Sequence, residues 1–324
     1  MKINPCIRII LVLACLATFA PAHAQNYPTK PITFVVGFPP GGIFDFMSRA
    51  VAQKVQQRWG QPAIVENKPG AGGLLAIKAI QTAPPDGHTI MANGQITVTM
   101  PLFNKEASFK PGVDVQPIMG AFYAPYVMIT NTLTPVKSLP EFIAYAKANP
   151  GKLNWGVAPN TGQHIDTYAF IKGNGLDITI VPYAGGAALL RALIANETQA
   201  YLGVPLGLDA QVKAGKVTIL GVTGATRFPL MPDVPTVKEL IGYDMDSVVE
   251  YGFFTTQGTP KPVVEKLAKE FADIFTNTDV RGQIDKQGYA VRVRGTDEFT
   301  AGMAREFARG QAVIDSGGIK PQQQ

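Results

Sequence analysis

Residues 32–49 read ITFVVGFPPGGIFDFMSR, and the change of period inside this stretch decides the fold. ITFVVGF is an unbroken apolar run of strand length, the pattern of a strand buried on both faces. Pro39-Pro40-Gly41-Gly42 stops it. Immediately afterwards Phe44, Met47, Val51 and Val55 recur at helical spacing as far as Gly60. A strand that turns through glycines straight into a helix is the unit of an α/β fold. It also gathers free backbone N–H groups at the positive end of a helix dipole, which suits one carboxylate. The turn is not a phosphate loop of the Walker type, because no Lys-Ser/Thr follows the glycines. Nor is it the G-x-G-x-x-G dinucleotide fingerprint. A tight turn that needs glycine for backbone reasons alone is the competing reading. Ile43 and Phe44 are core residues on that reading, and an apolar wall if the turn sits at a cleft.

The alternation continues along the chain. Strand patterns at 62–68, 89–93, 126–131, 153–157, 178–183, 198–204, 217–224 and 247–256 are interleaved with helical ones at 72–83, 138–151, 163–173, 185–195 and 235–243. Three helical stretches close the sequence at 260–276, 279–288 and 296–315. Ser138 with Glu141 three residues later forms a capping-box signature. Repeated βα units predict open sheets flanked by helices, with ligands beyond the carboxyl ends of the strands. Two similar halves, each with a strand, a glycine turn and a helix, predict two domains facing a cleft. The stretches 126–131 and 248–256 are the candidate crossovers. The expected division is 25–125 plus 250–324 for one domain and 126–249 for the other.

Composition narrows the class. The chain has 324 residues, 46% hydrophobic and 16% charged, an ordinary globular balance. Lys2 and Arg8, the apolar run IILVLACLATFA and Ala22-His23-Ala24 form a secretory signal over residues 1–24, so the mature chain is expected to start at Gln25 in the periplasm. A lipoprotein anchored through Cys15 is the alternative, disfavoured by Leu13 where a small residue is preferred. Cys6 and Cys15 both lie in this segment, so the mature chain has no disulfide, thiolate nucleophile or cysteine metal site. Losing Lys2 and Arg8 lowers the formal charge from +5 to +3, with the charges scattered and no basic block of the kind nucleic acid requires.

Two further loops carry candidate binding groups. APNTGQHIDTYAF (158–170) brings Asn160, Thr161, Gln163 and His164 to a helix start, with Thr161 as a plain N-cap on the alternative reading. A metal at His164 lacks a second histidine nearby in sequence. VPYAGGAALL (181–190) offers Tyr183 as a wall with a phenol donor, or as simple packing. No catalytic motif is present, so an enzyme would have to use Asp45, His164 or Glu250, and no cofactor is called for.

These loops are where the sequence resembles the Bug family of periplasmic solute-binding proteins, the extracytoplasmic receptors of tripartite tricarboxylate transporters. The similar stretches are YPTKPITFVVGFPPGG (27–42), VENKPGAGG (65–73), APPDGHT (83–89), ANPGKLNWG (148–156), VPYAGG (181–186), VKAGKV (212–217), MPDVPTVKEL (231–240) and QGTPKP (257–262). The resemblance implies a two-domain type II periplasmic binding fold that closes on a small carboxylate without chemistry, and membrane permease subunits as partners. It implies that the loops matching Pro39–Asp45 and Pro159–Ile165 hold the ligand, which marks Pro40, Gly41 and Gly42 beside Ile43 and Phe44. The chain is expected to act as a monomer. Many members have Ala-Thr-Asp where Ile43-Phe44-Asp45 stands, and an Asp where Gly203 aligns. An aromatic is common where Glu250 stands. The first two departures make the pocket more apolar and less suited to an ammonium, whose unpaired burial costs several kcal/mol. The expected ligand is therefore an aromatic mono- or dicarboxylate such as terephthalate, with Phe44 and Tyr183 as walls. An aliphatic di- or tricarboxylate, or a sensor role for a two-component system, is the alternative.

Overall fold

The computed structural model describes residues 27–70, 73–104, 107, 113–317 and 319. The expected signal segment with both cysteines, and the tail from 320, lie outside the described residues.

Among the described residues, eleven strands build two mixed sheets. The six-stranded sheet has the order β11 (Ala290–Arg294), β4 (Val115–Pro125), β10 (Val248–Thr256), β3 (Thr89–Gly94), β1 (Ile32–Val36), β2 (Ala63–Asn67). The five-stranded sheet has the order β7 (Ile178–Pro182), β6 (Leu153–Val157), β8 (Ala200–Gly203), β5 (Val127–Asn131), β9 (Val217–Val222). β1 runs parallel to β2 and β3, and β6 runs parallel to β7 and β8. β10 is antiparallel to β3 and β4, and β5 is antiparallel to β8 and β9. The sign change has a simple cause. β5 and β10 are the first strands after the chain passes from one sheet to the other. They enter their sheets at the crossover end, where β1, β3, β6, β7 and β8 finish. The passages lie at Tyr126 and at Asp246–Ser247. The loops after β1, β6 and β7, with Gly41-Gly42, Gly162 and Gly185-Gly186, therefore gather at the crossover ends of the sheets.

Helices α1 (Ile43–Trp59), α2 (Leu74–Thr82), α3 (Gln95–Phe103), α9 (Lys261–Thr276), α10 (Thr278–Lys286) and α11 (Thr296–Asp315) flank the first sheet. α4 (Leu139–Ala148), α5 (Gly162–Gly173), α6 (Gly186–Ile194), α7 (Leu208–Lys213) and α8 (Val237–Ile241) flank the second. One core packs Phe34, Phe122, Phe253, Phe271 and Phe275 between the six-stranded sheet and α1 and α9. In the other lobe Trp155 is fully buried between Phe142 and Phe170. Burying side chains of this size contributes about 1.5–3 kcal/mol each. Leu102 and Phe103 of α3 meet Ile165 of α5 in a smaller cluster, with Phe307 of α11 packed against it, so α3 and α11 touch both lobes.

Local readings are adjusted in places. The Ser138 hydroxyl accepts from the Glu141 amide, but the Glu141 carboxylate accepts from Lys137 rather than from Ser138, so the capping box is half made. A complete one stands at Thr236 and Glu239. α3, β4, α7 and β11 have no counterpart in the sequence pattern.

Candidate functional site

The loop from Phe38 to Gly42 is exposed from Pro39 onward and is held from beneath. Gly41 takes φ +88°, a left-handed conformation open to glycine, and its amide donates to Asp45 Oδ2 at 3.0 Å. Arg49 donates to the same carboxylate at 3.0 Å and forms the i,i+4 ion pair. Asn67 at the end of β2 donates to the Phe38 carbonyl at 3.0 Å. The Arg49 bond is the largest influence holding the Asp45 carboxyl below its ordinary range, so Asp45 is an ionised brace for the turn. Gly42 caps α1 with no side-chain acceptor, so the first-turn amides of α1 face the open end of the sheet without a protein cap. Pro40, Gly41 and Gly42 are exposed, while Ile43 and Phe44 are half-buried against the core. Phe44 stacks on Phe38 with centroids 4.9 Å apart and planes 15° apart, and leans on Tyr251 at 5.2 Å. Phe38 thus shares the Phe44 stack, a contact that sequence reasoning did not identify.

The second loop is built differently. Asn160 has φ +61°, and the Thr161 hydroxyl donates to the Ala158 carbonyl and accepts from the His164 amide. Thr161 is therefore the N-cap of α5. Gln163 turns inward, accepting from the Ala158 amide and donating to the Leu202 carbonyl, both at 2.7 Å. The His164 ring lies parallel to Phe103 of the other lobe, centroids 6.4 Å apart. Burial lowers its pKa, which favours the neutral ring. Gly162 sits so close to Gln95 that a Cβ there would come within 2.4 Å of the Gln95 amide. The Tyr183 phenol donates to Glu197 at 3.1 Å. Gly203 is buried against Ile129 and Tyr201. Glu250 faces α11 and lies between Arg292 and Arg294, at 3.4 and 3.3 Å.

Behind these loops a polar cluster ties the lobes together. Asp166, buried on α5, accepts from Arg309 of α11 and from the Ser247 hydroxyl at the passage. Arg309 also binds Glu306 at 2.7 Å, Glu306 accepts from Gln95 at 2.7 Å, and the Tyr126 phenol donates to Gln95 at 2.9 Å. Burial pushes the Asp166 carboxyl up, and works against the Arg309 charge as well. Asp166 and Glu306 nevertheless hold the Arg309 proton firmly. A guanidinium keeps its charge at any working pH, and that charge opposes the effect of burial on Asp166. Asp166 lies within the 158–170 stretch that sequence reasoning singled out but was given no binding role there, and Arg309 lies outside every such motif. Among the described residues no cluster of three metal-ligating side chains occurs, and no helix is long and apolar enough to cross a membrane.

Comparison with known proteins agrees with this architecture. Residues 47–319 match the tripartite tricarboxylate transporter family receptor. A UPF0065 protein of Bordetella pertussis is 35% identical over 82% of this chain and 83% of its own. A TctC solute-binding protein from Polaromonas superposes with a TM-score of 0.80 at 27% identity, covering 90% of this chain and 99% of that one. Rpa4515 of R. palustris, solved with adipate, gives 0.75 at 26%, covering 91% and 100%. The two mixed sheets, the loops gathered at their crossover ends and these matches together place the chain in the tripartite tricarboxylate transporter receptor family, as a periplasmic-type solute-binding receptor rather than an enzyme.

Proposed function

We propose that this receptor, a monomer exported by cleavage after Ala24, captures a small organic carboxylate between its lobes and presents it to membrane permease subunits. The observation that carries the reading is the start of α1, where Gly42 provides no side-chain cap and the Ile43 and Phe44 amides meet no acceptor among the described residues, beside the Phe38–Phe44 stack. One carboxylate takes these amides. The Asn160–His164 loop takes the same carboxylate or a second one. The split into 25–125 with 250–324 and 126–249 is the division about which the cleft closes. Ligand contacts with both lobes then stabilise the closed form by population shift. The stacked rings favour an aromatic mono- or dicarboxylate such as terephthalate, because a ligand ring gains area against them. Adipate in the Rpa4515 structure favours a second reading, an aliphatic dicarboxylate.

Thermal unfolding against terephthalate, phthalate isomers, benzoate, adipate, citrate and glutamate tests this. A ligand at 100 times its Kd adds about 2.7 kcal/mol. A shift confined to aromatic acids is expected. A shift only with adipate or citrate overturns the aromatic reading and keeps the receptor, and no shift with any acid removes the support for carboxylate capture.

A further inference from the structure

A cavity of about 270 Å³ lies between α11 and the face of the six-stranded sheet next to the passage at Asp246–Val248. None of the residues expected to bind the transported ligand lines it. Its walls carry four arginines, Arg292, Arg294, Arg305 and Arg309, against three carboxylates, Asp246, Glu250 and Glu306. Arg309 is neutralised by Glu306 and by Asp166 beneath it. Asp246 accepts from the Ala225 amide. Asp246 keeps its charge without an ion-pair partner among the described residues, and Glu250 is shared between Arg292 and Arg294, at the long distances of 3.4 and 3.3 Å. Glu298 on the exposed rim reaches Arg294 at 3.2 Å.

The arginines are short of acceptors. Arg292 is fixed over the Tyr123 ring at 3.8 Å, and its Nε is buried with no hydrogen-bond acceptor among the described residues. A buried donor without a partner costs about 1–3 kcal/mol, so its persistence points to an occupant that water-free packing does not supply. Arg305 is exposed at the cavity mouth and has no ion-pair partner among the described residues. Burial also lowers the pKa of Arg292, with Arg294 adding to that effect against the single Glu250. The volume falls below the roughly 300 Å³ at which pockets for drug-sized ligands begin, so the occupant is small.

We infer that this cavity is a second binding site, beside the hinge and separate from the ligand cleft, for a small oxyanion held by Arg292, Arg294 and Arg305. Carboxylate and phosphate share the required chemistry of several acceptor oxygens in one plane or fork. The inference does not depend on what the cleft carries.

Isothermal titration of the mature protein with sodium malonate and, separately, with inorganic phosphate, at fixed ionic strength in chloride-free buffer, tests it. Saturable binding of at least one ion is expected. It should weaken about tenfold, the effect of one charge-assisted hydrogen bond, in Arg305→Gln and in Arg292→Gln, and persist in the cleft variant Gly41→Ala. Arg305 is exposed, so its replacement leaves the packing intact even if Arg292→Gln disturbs the sheet. Tighter malonate assigns the site to an organic acid, and tighter phosphate to the inorganic ion. Absence of saturable binding, binding unchanged in both arginine variants, or equal loss in Gly41→Ala overturns the second site.

Discussion

Arg309→Met tests the link between the lobes most directly. The substitution keeps most of the aliphatic volume of the side chain and removes the charge opposite Asp166, whose side chain is 0% exposed. Removing one partner of a buried pair costs about 3–5 kcal/mol, because the remaining charge stays buried and unpaired. Arg309 itself is 32% exposed, so its charge is partly solvated and the lower end applies, about 3 kcal/mol. In a chain of this size that corresponds to a thermal midpoint roughly 5 °C lower. The loss should have a pH signature. Without Arg309, burial raises the folded pKa of Asp166 further above its unfolded value, so the folded state binds the extra proton. Stability of the variant then falls as pH rises from about 4 through the raised folded pKa, by about 1.4 kcal/mol per unit. Adding Asp166→Asn removes the buried charge, leaves an amide that can still bond Ser247, and should recover part of the loss at pH 7. Urea unfolding of both variants across pH measures this. A single variant within 1 kcal/mol of the parent, or a double variant no better than the single at pH 7, refutes the assignment of a buried interlobe ion pair.

Other expectations are independent of that cluster. Phe44→Ala should weaken an aromatic acid more than an aliphatic one in titration, by about tenfold against less than threefold, since ring stacking is what it removes; equal losses would sink the apolar-wall idea. Asp45→Asn should cost about 1–2 kcal/mol near neutral pH. Because Arg49 lowers the folded pKa of Asp45, that contribution is present above the ordinary aspartate value of about 3.9 and is lost as pH falls below it. The stability gap between parent and variant should therefore close on acidification, and a gap that widens contradicts the brace. Gly162→Ala forces Gln95 off Tyr126 and Glu306 and should destabilise by about 1–3 kcal/mol in thermal unfolding, against no change if the two lobes do not meet there.

The strand–glycine–helix stretch at 32–49 was readable because period, punctuation and length agree there, and the observed strand and helix end within two residues of the reading. β4 was hidden by Pro117, Gly120 and Pro125, which read as breakers; Pro117 and Gly120 sit where its pairing with β10 shifts register, and Pro125 ends the strand. α3 was hidden by its β-branched residues and by the internal Pro101, a local cost offset by burial against both lobes. At the site, the loops were legible because glycine and capping residues act locally. The inward turn of Gln163, the bond from Tyr183 to Glu197 and the pairing of Asp166 with Arg309 were not, because each joins residues whose relation only the tertiary fold creates.

The pairing of Pro125 with Val248 in adjacent strands has a consequence for how the chain assembles. The whole five-stranded sheet is strung between these two residues, yet β10 is an interior strand flanked by β3 and β4. The five-stranded sheet can therefore form from one continuous segment. The six-stranded sheet must wait with a gap in its middle until that segment has compacted enough to bring residue 248 beside residue 125. Loop closure across a folded insert is far less unfavourable than across an open coil. The expected order is therefore the inserted segment first and the interior strand second.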